Sequence, residues 1–299
     1  MKKIRWIALA AGVLVAGFGL WIAYCEQRNS LDVPPASAAE IHDRLTRTEA
    51  WILSNQNRLL DEHNVMLWLF VRDAGRVTHD QRLLALASEF QTRQTNGTLL
   101  QYFFDPNGSE QLAGQNIEFN AVWQDYQRLI LYGATCNASA RQDSEVLALL
   151  SPTGCEHRLL WLRSPWCRTH QLMGLRFVQK NRCDPTAETA ATISAVQDGI
   201  LSELRWDFRV EDAYLQKVLT LVESGRRNDV KPIWIRRILD AQRADGSWDG
   251  VQVLARLPGG RVLAWSDGHL YPRIRRQPEP TFHATAQGLY LLALLESQS

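Results

Sequence analysis

A helix ends at Ala241-Gln242-Arg243-Ala244-Asp245-Gly246-Ser247-Trp248, a Gln-x-x-Asp-Gly-Ser-Trp segment. About thirty residues later Phe282-His283-Ala284-Thr285-Ala286-Gln287-Gly288-Leu289 opens another helix. The chemistry of the first segment is local. Asp245-Gly246 allows a tight turn with a positive φ. Trp248 is placed to cover that turn, while Gln242 bonds backbone groups freed at the helix end. A structural role therefore takes precedence over a catalytic one, and the pairing points to helices stacked in pairs.

The hydrophobic rhythm extends this pattern along the chain. Apolar residues at helical spacing predict a helix over 41–60, and the all-apolar run Val65–Val71 predicts a buried one, stopped at Asp73-Ala74-Gly75. Thr78-His79-Asp80-Gln81 resembles a capping box and opens a helix over 80–93. Further helices are expected at 118–132, 143–150, 170–181, 187–204, 211–224, 231–242 and 282–296, with a short strand at 99–104. Val251, Val253, Ala255 and Leu257 alternate with other residues, and Pro258-Gly259-Gly260 precedes Val262–Trp265, so a β-hairpin is predicted between two helices.

The N-terminus sets the expected location. Lys2, Lys3 and Arg5 precede 19 uncharged residues, Trp6–Tyr24. At about 1.5 Å per residue this run just spans a bilayer of roughly 30 Å. Trp6, Trp21 and Tyr24 lie near its ends, and the basic start favours a cytoplasmic N-terminus. Small residues suited to signal cleavage are missing around Trp21-Ile22-Ala23-Tyr24, which favours a retained anchor over a removed signal. The expected organisation is an anchor over 1–28, a Pro34-Pro35 linker over 29–39, and one extracytoplasmic domain over 40–299, periplasmic in a Gram-negative cell.

Four cysteines, Cys136, Cys155, Cys167 and Cys183, crowd into 48 residues. In an oxidising compartment they read as two disulfides, with sequential pairing expected: Cys136–Cys155 and Cys167–Cys183. Zinc held by Cys155, His157, Cys167 and His170 is the rival, but the spacing fits no strong zinc pattern. No metal site and no cofactor are expected. The net charge of +1 argues against nucleic acid as a partner. Arg273, Arg275 and Arg276 are the one local basic cluster, expected in a solvated loop, with anionic lipid or glycan as the other reading.

Gln242, Gly246 and Trp248, followed by the Phe-His-x-Thr-Ala helix start, resemble the QW motif of the α/α-toroid proteins, best known from terpenoid cyclases and protein prenyltransferases. The resemblance covers about 60 residues and implies a mainly α fold: an α/α toroid of paired helices around a ring, with an inserted β-hairpin and a preceding transmembrane helix. It does not carry the chemistry. The cyclase Asp-x-Asp-Asp acid is absent, and the nearest acidic group is Asp207-Phe208-Arg209-Val210-Glu211-Asp212. His283 lacks the Asp and Cys partners of a prenyltransferase zinc site.

Residues at loop-to-helix junctions are the candidate catalytic groups of such a ring: His170 and His283 as acid/base groups, and Asp207, Asp212 and Asp249 as carboxylates. Trp248, Trp206 and Glu211 are candidate ligand contacts. Each has a plain structural alternative in capping, packing or helix-dipole complementation. Two functions stay open: a membrane-anchored protein that binds or processes a cell-envelope glycan or lipid-linked ligand, or a noncatalytic scaffold for an envelope protein. A cyclase or prenyltransferase ranks last. The sequence does not decide whether the chain is an enzyme.

Overall fold

The computed structural model describes residues 2–96, 98–104, 116, 117, 119, 124–155, 164–184, 187–207, 209–266, 269 and 271–298, with only the backbone of 2–11, 13–15, 18 and 187. His157 and Trp161 lie outside the described residues, as do parts of the predicted 118–132 helix.

The protein is mainly helical with one small antiparallel sheet. Helix α1 is Lys2–Asn29, α2 Ala38–Ser54, α3 Gln56–Leu59, α4 Val65–Thr78 and α5 Gln81–Phe90, followed by a π turn at Gln91–Thr95 and a 3-10 turn at Leu99–Phe103. Next come α6 Asp125–Thr135, α7 Ala138–Arg141, α8 Ser144–Leu150, α9 Cys167–Lys180, α10 Ala187–Trp206, α11 Asp212–Glu223 and α12 Pro232–Ala241. Strands β1 Gln252–Leu257, β2 Arg261–Trp265 and β3 Arg273–Arg276 precede α13 Phe282–Ser297.

Caps explain most boundaries. Asp80 accepts from the Arg82 amide and Asp143 from the Glu145 amide, so both are helix N-caps; the capping box expected at Thr78–Gln81 does not form, because Thr78 ends α4 and its hydroxyl donates to the Ala74 carbonyl at 3.0 Å. Pro232 occupies the first turn of α12, and Gly225 takes φ +84° just past α11. Three further expectations fail. Helix α4 runs through Gly75 to Thr78 because its Cβ-less face admits Leu83 and Leu84 of α5 (a Cβ there would lie 3.0 Å from the Leu83 Cβ), and His79 ends it in the left-handed region at φ 59°. The 99–104 segment is a 3-10 turn, not a strand. The hairpin has a third strand, β3, made by the arginine cluster expected in a loop, and the sheet order is β1-β2-β3.

Helices α4, α6, α9, α11 and α13 are the most buried. In α11 every residue from Ala213 to Val222 is buried, and in α13 nearly every one from Ala284 to Ala293. α6 packs on α9, α9 on α11, α11 on α13 and α13 on α4; the Leu99–Phe103 turn touches both α4 and α6. Neighbours run parallel. Gly174 lies on Leu129 and Gly133 on Phe177 and Val178, so α6 and α9 match start to start and end to end. Trp68 meets Phe282 and Phe70 meets Tyr290 in the same sense between α4 and α13. Two glycines permit the α6–α9 approach: a Cβ at Gly133 would lie 2.8 Å from the Val178 amide nitrogen.

That parallel packing overturns the sequential disulfides. The bonds are Cys136–Cys183 and Cys155–Cys167. Cys136 caps the C-terminal end of α6, and Cys183 follows the C-terminal end of α9, so the two ends meet. Helix α8 first carries the chain back, which brings Cys155 to the start of α9 at Cys167. Asn181 reinforces the first staple by donating to the Gly133 carbonyl at 2.8 Å.

The Gln242–Trp248 segment is a clasp. Gln242 donates to the Gly246 carbonyl at 3.1 Å and to the Thr48 hydroxyl at 2.8 Å, which ties α12 to α2. Trp248 is 1 % exposed; its indole donates to the Ile238 carbonyl at 2.9 Å, and its backbone carbonyl accepts from the Thr281 amide at 2.9 Å. Its ring lies on Gly288, where a Cβ would fall 2.5 Å from it.

The foot of α1 is built into the domain. Asn29 is 2 % exposed; it donates to the Arg205 carbonyl and accepts from Trp234 Nε1 at 3.1 Å and Arg237 Nη1 at 2.7 Å. Lys231 Nζ donates to the Asn29 carbonyl at 3.0 Å. The expected 29–39 tether is therefore clamped at its first residue and packed at Val33 and Ala36. Among the described residues no helix is long and apolar enough to cross a membrane. Most side chains of the expected Trp6–Tyr24 span lie outside the described residues, although α1 runs unbroken through it.

Gly288→Ala should destabilise the domain by about 1–3 kcal/mol through overpacking against Trp248. Trp248→Ala should cost about 3–5 kcal/mol. Denaturant unfolding measures both, and a Gly288→Ala midpoint equal to wild type would remove the claimed contact.

Candidate functional site

Because the buried helices run parallel, their starts gather at one end of the bundle and their ends at the other. At the starting end, the first turns of α9, α11 and α13 bring His170, Asp212 and His283 to the same region. His283 Nδ1 pairs with Asp212 Oδ2 in a close contact, and the imidazole is about two-fifths exposed. Asp212 Oδ1 is buried without a hydrogen-bond partner. His170 does not join this pair. Its ring is partly buried and stacks on Tyr126 at 4.0 Å, and its Nδ1 is enclosed without a hydrogen-bond partner. Burial, assisted by the nearby His283, pushes its pKa down to about 3, so the ring is neutral and a poor acid at ordinary pH.

The other expected residues disperse. Asp207 belongs to a buried charge network: Arg209 holds it at 2.8 Å, and Lys217, fully buried, lies 3.6 Å away and 3.1 Å from Glu203. Burial would raise the Asp207 carboxyl, but Lys217 and Arg209 prevail and hold it below the ordinary range. Glu211 sits 3.6 Å from Arg209 within the same network. Asp249 is engaged by Arg243 at 2.8 Å. Trp248 is core, and Trp206 is 39 % exposed at the end of α10. No group of three metal-ligating side chains occurs among the described residues, and all four clustered cysteines are in disulfides.

A cavity of about 260 Å³ that sequence reading missed lies between α4, α9, α11 and α13, reaching from Met66 in the first turn of α4 to Lys180 and Glu223 at the ends of α9 and α11. Met66, Leu69, Phe70 and Met173 supply an apolar floor; Arg72, Arg176, Lys180 and Glu223 supply charge, with Tyr290 beside them. A smaller recess of about 50 Å³ shares Arg72, Phe177 and Lys180. Arg72 is committed to Asp73 at 2.8 Å, and Arg76 also reaches Asp73, at 3.3 Å. Arg176 and Lys180 make no ion pair among the described residues. Burial raises the Glu223 carboxyl; Asp73 adds to the rise, while Arg176 and Lys180 oppose it. Burial also drives the Tyr290 phenol upward, so it remains a neutral hydrogen-bond donor. Buried apolar side chains, the cations Arg72, Arg176 and Lys180 and the Tyr290 phenol beside Glu223 line a recess suited to a small anion with an apolar face.

The missed signal was positional. Arg176, Lys180 and Glu223 lie in or near the last turns of α9 and α11, and Arg72 midway along α4, spread over 152 positions of sequence. Only the parallel order brings those turns together. Comparisons with family models, curated proteins and solved structures return no match for this chain.

His170 binds fewer protons folded than unfolded between its free value of 6.5 and about 3. Its contribution to stability is therefore complete above 6.5 and is lost as pH falls toward 3. His170→Phe should flatten that part of the stability–pH curve in denaturant titrations; an unchanged slope would show that the imidazole is not buried as described.

Proposed function

We propose that the protein is an anchored, outward-facing α/α toroid whose ring cavity binds a small anionic ligand of the cell envelope. The ligand class is a phosphorylated or carboxylated sugar, free or as the head of a lipid-linked precursor. The single observation that carries this reading is the two-sided chemistry of the cavity: an apolar floor at Met66, Leu69, Phe70 and Met173 beneath Arg176 and Lys180. Parallel buried helices, each flanked by an outer one, support the ring reading. The Gln242–Trp248 clasp supports it as well.

Size limits the ligand. A volume of about 260 Å³ falls at the small end of ligand sites, which run to roughly 300–1,000 Å³. It suits a headgroup rather than a whole lipid. The space also favours binding over the scaffold reading, which needs a filled ring. Asn29 is clamped beside Arg205, at the end of α10 that leads into the start of α11, whereas Glu223 ends α11. Twelve residues at about 1.5 Å each put the cavity roughly 18 Å along α11 from the anchored end. The ligand would therefore be met away from the anchoring bilayer.

Arg176 and Lys180 would pair with the anionic group, while the Tyr290 phenol would donate to its neutral oxygens. If the ligand is also processed, Glu223 is the acid. Its raised pKa suits proton donation, and Asp73 is paired with Arg72 and Arg76.

Titration calorimetry of the detergent-solubilised full chain tests this, with a hexose 1-phosphate and dodecyl phosphate as separate probes. Saturable binding is expected for at least one, weakened about a hundredfold or more by Arg176→Gln with Lys180→Gln, as expected when two charge-assisted bonds of about 1.5–3 kcal/mol each are removed. Preference between the probes separates a free sugar phosphate from a lipid phosphate. Absence of binding by both, or binding indifferent to the double substitution, contradicts the reading.

A further inference from the structure

Beyond Lys2, Lys3 and Arg5 at the N-terminus, the chain gathers positive charge in one segment. Residues 251–278 hold five arginines and one aspartate, a balance of 5 − 1 = +4, so the remaining residues sum to −3 against a whole-chain +1. All five arginines lie on or beside the three strands, and all are exposed. The register sets Arg261 opposite Arg276 and Leu263 opposite Ile274 on the same face. Directly opposed like charges destabilise a sheet. Beside them Ile274 and Tyr271 are 54 % and 60 % exposed. A charged edge strand also discourages strand pairing between copies. That role accounts for charge on β3 but not for Arg261 facing Arg276.

The sheet adjoins the foot of α1. Arg28 lines one crevice with Val251, Gln252, Val253, Arg256 and Gln277. Gln252 also accepts from the Val210 amide, just beyond α10. Around the same foot Trp21, Tyr24 and Trp206 are exposed, the last next to the Arg205 carbonyl that holds Asn29. Exposed aromatic rings around the base of an apolar helix are the arrangement favoured at a bilayer interface.

We propose that the β1–β2–β3 sheet is a second membrane contact: the face bearing Arg261, Arg276 and Ile274 lies on the anchoring bilayer, with these arginines bound to anionic phospholipid headgroups and Ile274 at the headgroup boundary. Headgroup phosphates relieve the Arg261–Arg276 repulsion, and each arginine near an anionic surface contributes about a fivefold gain in binding. Since Asn29 fixes α1 to the domain, this contact holds the domain at one tilt, with its ligand cavity turned outward. The inference rests on α1 being an anchor.

The test uses the full chain in lipid nanodiscs, one set of neutral phosphatidylcholine and one with phosphatidylglycerol. Backbone amide exchange is read at 261–276 and at the Trp248 core, and alkaline carbonate extraction of vesicles reads anchoring separately. Anionic discs should slow exchange of the sheet about fivefold or more, with the core unchanged. The effect should vanish in Arg261→Gln/Arg276→Gln and fade with added salt in the wild type, which needs no variant. A retained chain exchanging equally in both discs overturns the sheet contact and leaves the anchor standing. Release by carbonate overturns both. Equal slowing in neutral discs by an added polyanionic glycan overturns the lipid assignment in favour of a glycan surface.

Discussion

Parallel packing of the buried helices is the constraint on which the rest of this structure depends. A helix buried on all sides cannot turn back beside its neighbour through a short loop if both must run the same way. Each return needs an outer helix, and the paired rhythm of the chain follows. Contact at this closeness needs small residues at the crossing: Gly133 and Gly174 between α6 and α9, and Gly288 beneath Trp248. The disulfide Cys136–Cys183 then locks two C-terminal ends that sequence order alone would not join.

The same constraint sorts the chemistry. Helix starts carry partial positive charge and helix ends partial negative charge. Asp212 lies at the starts, and Arg176 and Lys180 at the ends, where the aligned helix ends offset the repulsion between two cations facing one cavity. The His283–Asp212 pair and the buried network of Glu203, Asp207, Arg209 and Lys217 lie toward the helix starts and bind that end together. In the cavity Arg72 is paired with Asp73, while Arg176 and Lys180 make no ion pair among the described residues. On the proposed reading, one end of the ring serves attachment and the other serves recognition.

What the sequence revealed depended on how local the cause was. The Gln242–Trp248 clasp, the Asp80 and Asp143 caps, Pro232 at a first turn and Gly225 after α11 all act within a few residues, and each sits as its chemistry requires. The disulfide partners and the cavity depend on which helix ends meet, which no short-range signal encodes. Candidate residues were sought at helix starts, so Asp212 and His283 were found together, whereas Arg176 and Glu223 were passed over. Asn29 was equally hidden: an asparagine before Pro34-Pro35 reads as linker until Trp234 and Arg237 close on it from 200 residues away.

The most direct measurement is a structure of the chain crystallised with a hexose 1-phosphate. The account predicts the phosphate against Arg176 and Lys180, the sugar over Met173 and Phe70, and Glu223 within hydrogen-bond reach of a sugar oxygen. Density for the ligand elsewhere on the surface, with the cavity between α4, α9, α11 and α13 left unfilled, would contradict it.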